Sequence, residues 1–314
     1  MAFQVIFFGT SEIGIPTLAA LSESKKIDVQ AVITQSDKKT GRKAEMTAPP
    51  IKVFAQEKNL PIFQPESLKD NPDFVQFLKT LKPDLFVVLS YGKILPKEIL
   101  EIPTYGAVNI HTSLLPKFRG ASPIQEALLQ GEKETGLTVI KMNEYMDEGG
   151  IILVRRIPVE EKDDYITLEK KLAVLSGEII PLLVHDYIEG TLPPLPQKHE
   201  KATYCKKIEK EDGKIDWQND DAEKIQRKMK AFKKWPGVFT MWNGKRIKIL
   251  AAEIENSEKG TPGEITFEKD RIAVATKKGS LIPTVLQMEG KKEMEVEEFL
   301  RGYEKVLKEN PRFE

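Results

Sequence analysis

Short apolar runs alternate with amphipathic stretches through the first half of the chain, and this alternation restricts the possible folds more than any other feature. The runs have the length of β-strands and lie at 5–8, 29–34, 85–89, 107–110, 137–142 and 151–157. Between them, apolar side chains recur at helical spacing, as at 74–81. Strands buried on both faces and separated by helices are typical of an α/β domain with a Rossmann-like, largely parallel sheet. Such a sheet places its ligand crevice at the carboxyl ends of the strands.

A proline-rich segment ends this pattern. Residues 190–196 contain three prolines, and a charged segment follows them, which predicts a linker over 190–206. Beyond it, after one helical stretch at 222–232, short apolar runs are separated by Gly and Pro, as in a small OB-like β-barrel. A length of 314 residues agrees with two domains. We therefore expect an α/β domain at 1–189 and a smaller C-terminal domain at 207–314.

Composition excludes several classes of protein. The 48 basic residues balance the 48 acidic ones, so the chain is not a polybasic protein. A single cysteine, Cys205, cannot form an intrachain disulfide, and three histidines without a Cys-x-x-Cys pair do not predict a structural zinc site. Neither a signal peptide nor an apolar run of roughly 20 residues is found, so we expect a cytoplasmic protein that does not enter a membrane.

An amide and an imidazole stand at the end of the fourth apolar run. Asn109 and His111 are two residues apart, and on a strand they would project together from its carboxyl end. That is where an α/β fold binds its ligand. For an isolated pair, the alternative that both side chains merely satisfy hydrogen bonds of a loop stays open.

The residues that follow carry a specific resemblance. The segment 109–116 reads Asn-x-His-x-Ser-Leu-Leu-Pro, and Asp-x-Gly follows the next apolar run at 147–149. This combination resembles the signature of the folate-dependent formyltransferases. The resemblance runs nearly end to end, and within the family it is greatest to members that formylate initiator methionyl-tRNA, because 203–208, 215–217 and 235–237, which lie outside the first domain, also match.

The resemblance implies a reaction and a set of residues. In such enzymes a primary amine attacks the formyl carbon of 10-formyltetrahydrofolate. Asn109 would donate to the developing oxyanion, a contribution typically worth about 10²–10³ in rate, and His111 would move the proton that the amine loses. Asp147 would orient His111 and favour its charged form. No metal is expected.

The same resemblance implies where the folate binds. The folate-binding loop would consist of Ser113, Leu114, Leu115 and Pro116. The segments 91–95 and 141–146 would form the walls of the pterin pocket, although a buried apolar loop is also explained by packing alone.

The transfer RNA would bind cationic residues in two places. Nine Lys and Arg and no carboxylate lie between 224 and 252, with Trp235 and Trp242 among them, and from this run we single out Lys233, Lys234 and Arg246. A solvated helix face is the alternative interpretation of the run. In the family a loop that here contains Arg42 and Lys43 contacts the acceptor end of the initiator tRNA. We expect the protein to act as a monomer.

Three other functions stay open at this stage. A sugar-amine N-formyltransferase would use the same catalytic residues without needing the cationic run. A 10-formyltetrahydrofolate hydrolase would expose the formyl group to water instead of an amine. An RNA-binding protein without catalysis could also keep the cationic run, but it would not need Asn109, His111 and Asp147.

Overall fold

The structure is a computed structural model that describes residues 2–40, 44–257 and 260–314. By its internal contacts the chain divides into two compact units. The first unit comprises Met1–Pro123, Lys133–Val159 and Thr167–Lys206, and the second comprises Ile124–Glu132, Glu160–Ile166 and Lys207–Glu314. The domain limits 1–189 and 207–314 stay a prediction.

The described residues contain strands that are labelled in chain order. These are β1 (Phe3–Gly9), β2 (Ile27–Ile33), β3 (Lys38–Thr40), β4 (Glu45–Thr47), β5 (Ile62–Phe63), β6 (Leu85–Leu89), β7 (Ala107–His111), β8 (Arg119–Gly120), β9 (Glu134–Lys141), β10 (Ile151–Pro158), β11 (Tyr204–Cys205), β12 (Val238–Trp242), β13 (Lys245–Glu255), β14 (Ile265–Glu268), β15 (Arg271–Ala275), β16 (Ser280–Met288) and β17 (Glu293–Glu295).

The helices are labelled in the same way. They are α1 (Ile15–Glu23), α2 (Pro50–Glu57), α3 (Pro72–Thr80), α4 (Lys97–Leu100), α5 (Pro123–Leu129), α6 (Tyr165–Ile188), α7 (Ala222–Ala231) and α8 (Val296–Glu309). Pro stands in the first turn of α1, α2 and α3, where its missing N–H costs no hydrogen bond.

The first unit is built on a seven-stranded sheet in the order β10-β9-β7-β6-β1-β2-β5. Every pairing from β5 to β7 is parallel, whereas β9 runs antiparallel to both β7 and β10. The prediction of an α/β domain with a largely parallel sheet is therefore confirmed. Because β1, β6 and β7 are parallel, their carboxyl ends lie at one edge of the sheet, and β7 brings Asn109 and His111 there.

The central strands of this sheet are buried on both faces, which explains their continuous apolar sequences. Ile6 and Phe8 of β1 and Phe86 of β6 belong to one cluster, with Phe74 and Leu78 from α3. In α3 these two side chains are four residues apart and face the sheet together. Asn71 caps the helix: its side chain accepts the main-chain N–H of Phe74, which would otherwise have no partner within the helix.

The second unit contains a six-stranded antiparallel sheet, with β12, β13, β16, β15 and β14 in order and β17 paired to β16. A smaller C-terminal β domain is thus confirmed. Its core includes Phe299 and Leu307 on the apolar face of α8. Trp242 packs edge-on against Phe299, with ring centroids 6.1 Å apart. Within the part of the chain that the structure describes, no helix is long and apolar enough to cross a membrane.

Candidate active site

The carboxyl end of β7 carries the two polar side chains that the sequence singled out. Asn109 Nδ2 donates to Asp147 Oδ1 over 3.4 Å, and His111 Nδ1 lies 3.6 Å from the same oxygen. His111 is buried, with 5% of its surface exposed, whereas Asn109 is half-buried. The alternation of a strand therefore brings both side chains to one carboxylate.

The other ring nitrogen of His111 is occupied by the main chain. Nε2 lies 2.9 Å from the carbonyl oxygen of Phe118. Because a carbonyl oxygen only accepts hydrogen bonds, Nε2 carries a hydrogen. Any proton that the ring gains or loses therefore sits on Nδ1, which faces Asp147.

Asp147 lies in the loop between β9 and β10 and has a positive φ of 56°. Its Oδ2 accepts the main-chain N–H of Gly120 over 2.8 Å. Two residues later, a Cβ atom on Gly149 would lie 1.8 Å from the carbonyl oxygen of Lys141, so only glycine fits where the loop returns to β9. The spacing Asp-x-Gly thus has a steric reason in this fold.

The predicted folate loop is held by one threonine. Thr138 Oγ1 donates to the carbonyl oxygen of Ser113 over 2.7 Å and accepts the main-chain N–H of Leu115 over 3.0 Å. Ser113 is fully buried and its hydroxyl donates to the carbonyl oxygen of Lys117 over 2.6 Å. Leu115 is buried, while Leu114 and Pro116 are half-buried. A folate role for these four residues stays a prediction.

The segments predicted to wall the pterin pocket expose large apolar side chains. Ile94 is 82% exposed, Tyr145 62% and Met146 60%. Apolar surface of this kind gains free energy when a flat aromatic ring covers it, at roughly 25 cal/mol per Å². These exposed side chains could cover an aromatic ring, and the role of both segments as walls of a pterin pocket stays a prediction.

Sequence reasoning missed two residues beside the group formed by Asn109, His111 and Asp147. Arg119 follows the signature directly and is 1% exposed, and it donates to Glu148 Oε1 over 3.0 Å. Gln197 belongs to the segment predicted as a linker, yet it is buried and contacts the loop around Asp147. A charged residue this close behind the signature was a signal for Arg119. For Gln197 the sequence contains none, because its neighbours are proline and charged residues.

The cations predicted to hold tRNA differ in their surroundings. Lys233 and Lys234 are exposed at the end of α7, and Lys234 Nζ lies 5.8 Å from the centre of the Tyr165 ring. Arg246 is half-buried, with its guanidinium 5.5 Å from the centre of the Phe239 ring. Arg42 and Lys43 lie outside the described residues. The tRNA roles stay predictions.

Other members of the cationic run make contacts within the second unit. Lys224 and Lys228 both bind the buried carboxylate of Asp220, at 2.7 and 2.5 Å. Arg227 Nε and Lys230 Nζ donate to the carbonyl oxygens of Leu129 and Glu161. These four cations help to hold α7 in place.

The two tryptophans of this run also differ. Trp235 is 53% exposed, whereas Trp242 is 3% exposed and donates from its indole to the carbonyl oxygen of Asn310. The interpretation of Trp242 as part of a cationic surface is therefore wrong: its strand position points the ring into the core.

Comparison with known proteins places the chain among formyl transferases. The formyl transferase family matches residues 1–184, and the formyl transferase C-terminal domain family matches residues 207–304. The methionyl-tRNA formyltransferase of Caldanaerobacter subterraneus subsp. tengcongensis is 43% identical over 301 residues, covering 96% of this chain and 97% of the relative. That of Caldicellulosiruptor saccharolyticus is 40% identical over 306 residues, with 96% and 97% covered.

A solved structure also shares the fold. The N-formyltransferase from Helicobacter canadensis, in complex with folinic acid and dTDP-3-aminofucose, superposes with a TM-score of 0.65 at 18% identity. The similarity covers 90% of this chain and 99% of that one. Among the described residues, no group of three or more His, Cys, Asp or Glu side chains lies together as a metal site would require.

Proposed function

The chain belongs to the methionyl-tRNA formyltransferase family, and on that premise we propose that it transfers the formyl group of 10-formyltetrahydrofolate to the α-amino group of initiator methionyl-tRNA. The observation that carries this proposal is the convergence of Asn109 and His111 on one oxygen of Asp147, in a chain that matches such enzymes over both of its domains.

The reaction converts an amine and an N-formyl group into a formamide and tetrahydrofolate. The bond between the amine nitrogen and the formyl carbon forms, the bond between the formyl carbon and N10 breaks, and one proton passes from the amine to N10. When bound, 10-formyltetrahydrofolate supplies the electrophilic formyl carbon. No oxidant or reductant is needed.

Asn109 stabilises the charge of the transition state in this proposal. Its Nδ2 carries two hydrogens, and Asp147 Oδ1 accepts one of them at 3.4 Å. The other can donate to the formyl oxygen as negative charge develops there. A single preorganised donor of this kind is typically worth about 10²–10³ in rate.

His111 moves the proton. The carbonyl oxygen of Phe118 holds Nε2, which leaves Nδ1 to accept a proton from the amine and to release it towards the leaving nitrogen. Asp147 orients the ring from 3.6 Å and stabilises the imidazolium that forms. The burial of His111 keeps bulk water away from this pair.

Recognition of the initiator tRNA is the finer part of the proposal. Lys233, Lys234 and Arg246 would contact its phosphates, while Arg42 and Lys43 would contact its acceptor end. We assign the enzyme to the cytoplasm, where charged initiator tRNA is available, and to a monomeric state.

The test compares formyl transfer from 10-formyltetrahydrofolate to charged initiator tRNA with transfer to charged elongator methionine tRNA. We expect formyl-methionyl-tRNA as the product, with strong preference for the initiator. Folate turnover without a formylated tRNA would identify a hydrolase. Formylation of a nucleotide-linked amino sugar, in place of the tRNA, would identify a sugar-amine formyltransferase.

A further inference from the structure

Gln197 connects the segment before β11 to the loop that carries Asp147. Its Nε2 donates to the carbonyl oxygen of Asp147 over 2.7 Å and to that of Gly149 over 2.8 Å. Both hydrogens of the amide group are therefore donated to main-chain carbonyl oxygens, one on each side of Glu148. Gln197 is 6% exposed, so water does not compete for these carbonyl oxygens.

Arg119 determines which way the amide of Gln197 points. Arg119 Nε and Nη2 both donate to Gln197 Oε1, over 3.3 and 2.8 Å. A guanidinium has no acceptor and a carbonyl oxygen has no donor, so the amide oxygen must face Arg119 and the NH₂ group must face the loop. The orientation follows from the chemistry of the partners.

Arg119 also contacts the loop directly and is held by its own surroundings. Its Nη1 donates to Glu148 Oε1 over 3.0 Å, and its Nη2 lies 3.2 Å from His199 Nδ1. The guanidinium carbon is 5.9 Å from the centre of the Tyr204 ring. A buried cation with this many partners is fixed in one position, and through Gln197 it fixes the loop.

Asp147 needs such support because of its backbone conformation. A left-handed φ is uncommon outside glycine, and although Asp adopts it more readily than most residues, contacts to the main chain on both sides help to hold it. The carboxylate must also lie where Asn109 and His111 meet. Oδ1 lies 3.4 Å from Asn109 Nδ2 and 3.6 Å from His111 Nδ1, so a displacement of the loop by a fraction of an ångström would separate it from both side chains.

We propose that Gln197 is a positioning residue for formyl transfer: it holds the main chain of Asp147 so that the carboxylate meets Asn109 and His111. This inference rests on the proposed function of the site. It assigns a role in the reaction to the segment between the two family matches: the first match ends at 184 and the second begins at 207.

The test replaces Gln197 with Glu and, separately, with Ala. Gln197→Glu keeps an oxygen for Arg119 but removes both donors, so it separates orientation of the loop from the pairing with Arg119. We expect kcat for formyl transfer to fall at least tenfold in each variant, because small displacements of a catalytic group are costly. The KM values for tRNA and for folate should stay within about twofold. Lys198→Ala, an exposed neighbour, is the matched control and should retain full kcat.

A second measurement does not depend on the reaction. The chain has three histidines, so the ring signals of His111 can be assigned by NMR with few variants. We expect these signals to shift in both Gln197 variants and to stay in place in Lys198→Ala. If the unaltered protein transferred no formyl group, the proposed function would fail, while the NMR spectra would still decide whether Gln197 positions the site.

Two results would overturn the inference. One is an unchanged kcat in either folded Gln197 variant. The other is a loss of kcat that follows a lowered Tm and is restored by assaying at lower temperature, since that behaviour belongs to a residue that only stabilises the fold.

Discussion

The main-chain N–H of Gly120 donates to Asp147 Oδ2 over 2.8 Å, which leaves Oδ1 to face Asn109 and His111. The two oxygens of one carboxylate thus have different partners: the backbone binds one, and the side chains of Asn109 and His111 lie beside the other. We therefore expect both the charge and the position of Asp147 to matter for formyl transfer.

Asp147→Asn tests the charge. The amide oxygen can still accept from Gly120, but the NH₂ group would then face the amide donor of Asn109, and it could not stabilise the imidazolium that forms at His111. We expect kcat to fall by roughly 10²–10⁴, the usual worth of proton transfer by a well-oriented group, with Tm nearly unchanged. Single-turnover formyl transfer measures this.

Glu144 supplies the control, because its exposed carboxylate lies three residues earlier in the same loop. Glu144→Gln should leave kcat unchanged. Equal losses of kcat in both variants would contradict the role of Asp147.

Gly120→Ala tests the close approach of β8 to β11. Gly120 has a φ of +119°, and a Cβ atom there would lie 2.2 Å from the carbonyl oxygen of Cys205. We expect β8 to separate from β11, a loss of formyl transfer, and a free energy of unfolding lower by about 3 kcal/mol or more. Thermal unfolding measures the second effect.

Gly190→Ala is the control for that variant. Gly190 has a φ of +80° with nothing within 4 Å of the added Cβ, so it reports the cost of the backbone conformation alone, roughly 1–2 kcal/mol. If Gly120→Ala were no worse than Gly190→Ala, the contact with Cys205 would not constrain the site.

Asp220→Asn tests the ion pairs beneath α7. Burial raises the pKa of the Asp220 carboxyl, but hydrogen bonds from Lys224 and Lys228 more than offset this, so its pKa in the folded protein is lowered from 3.8. The stabilisation is therefore complete above pH 3.8 and is lost as the pH falls through the lower folded pKa. We expect a cost of roughly 2–3 kcal/mol at pH 7 that shrinks towards pH 3, measured by urea unfolding at both pH values.

The neighbouring residue supplies the control. Asp221 caps α7 by accepting the main-chain N–H of Lys224, and asparagine caps a helix equally well. Asp221→Asn should therefore change the free energy of unfolding little at either pH. A cost for Asp220→Asn that did not depend on pH would mean that its charge is not what stabilises α7.

Tyr91→Phe tests a buried hydroxyl. Among the described residues Tyr91 Oη has no hydrogen-bond partner, and burial raises the pKa of Tyr91 to about 12. Removing the hydroxyl should raise the free energy of unfolding by about 1 kcal/mol, because an unsatisfied polar group leaves the core. Tyr187→Phe is the counterpart. Tyr187 Oη donates to the carbonyl oxygen of Tyr105 over 3.1 Å, so removing this hydroxyl should lower the free energy of unfolding. A destabilised Tyr91→Phe would refute this reasoning.

Neutralising Lys233, Lys234 and Arg246 to Gln tests the proposed tRNA surface. Each phosphate contact releases condensed counterions, so three lost contacts should reduce the slope of log K against log salt by about 2–3. Filter binding or fluorescence anisotropy at several salt concentrations measures this slope. Lys277, Lys291 and Lys292 are exposed lysines of the same unit, and their neutralisation serves as the charge-matched control. The same reduction in both triple variants would place the RNA contacts elsewhere.

The fold was largely predictable because buried apolar residues recur along the sequence with the period of a strand or a helix. The run 85–89 coincides with β6, and Asn109 and His111 fall at the end of β7 as their spacing predicts. Both results need only local rules, namely that a strand buried on both faces is apolar throughout and that residues two apart share a face. The antiparallel direction of β9 was not predictable in this way, since a buried apolar run reads the same in either direction.

What the sequence by itself determined is the α/β class, the smaller β domain and the signature from Asn109 to Gly149, because these depend on residues that are near one another in the chain. Only the tertiary structure decided that Arg119 and Gln197, 78 positions apart, hold the loop of Asp147, and that Trp242 lies in a core. A hydrogen bond between distant segments depends on where the whole backbone places its donor and acceptor. The residues around Gln197, which are mostly prolines and charged residues, form no sequence pattern from which such a contact could be predicted.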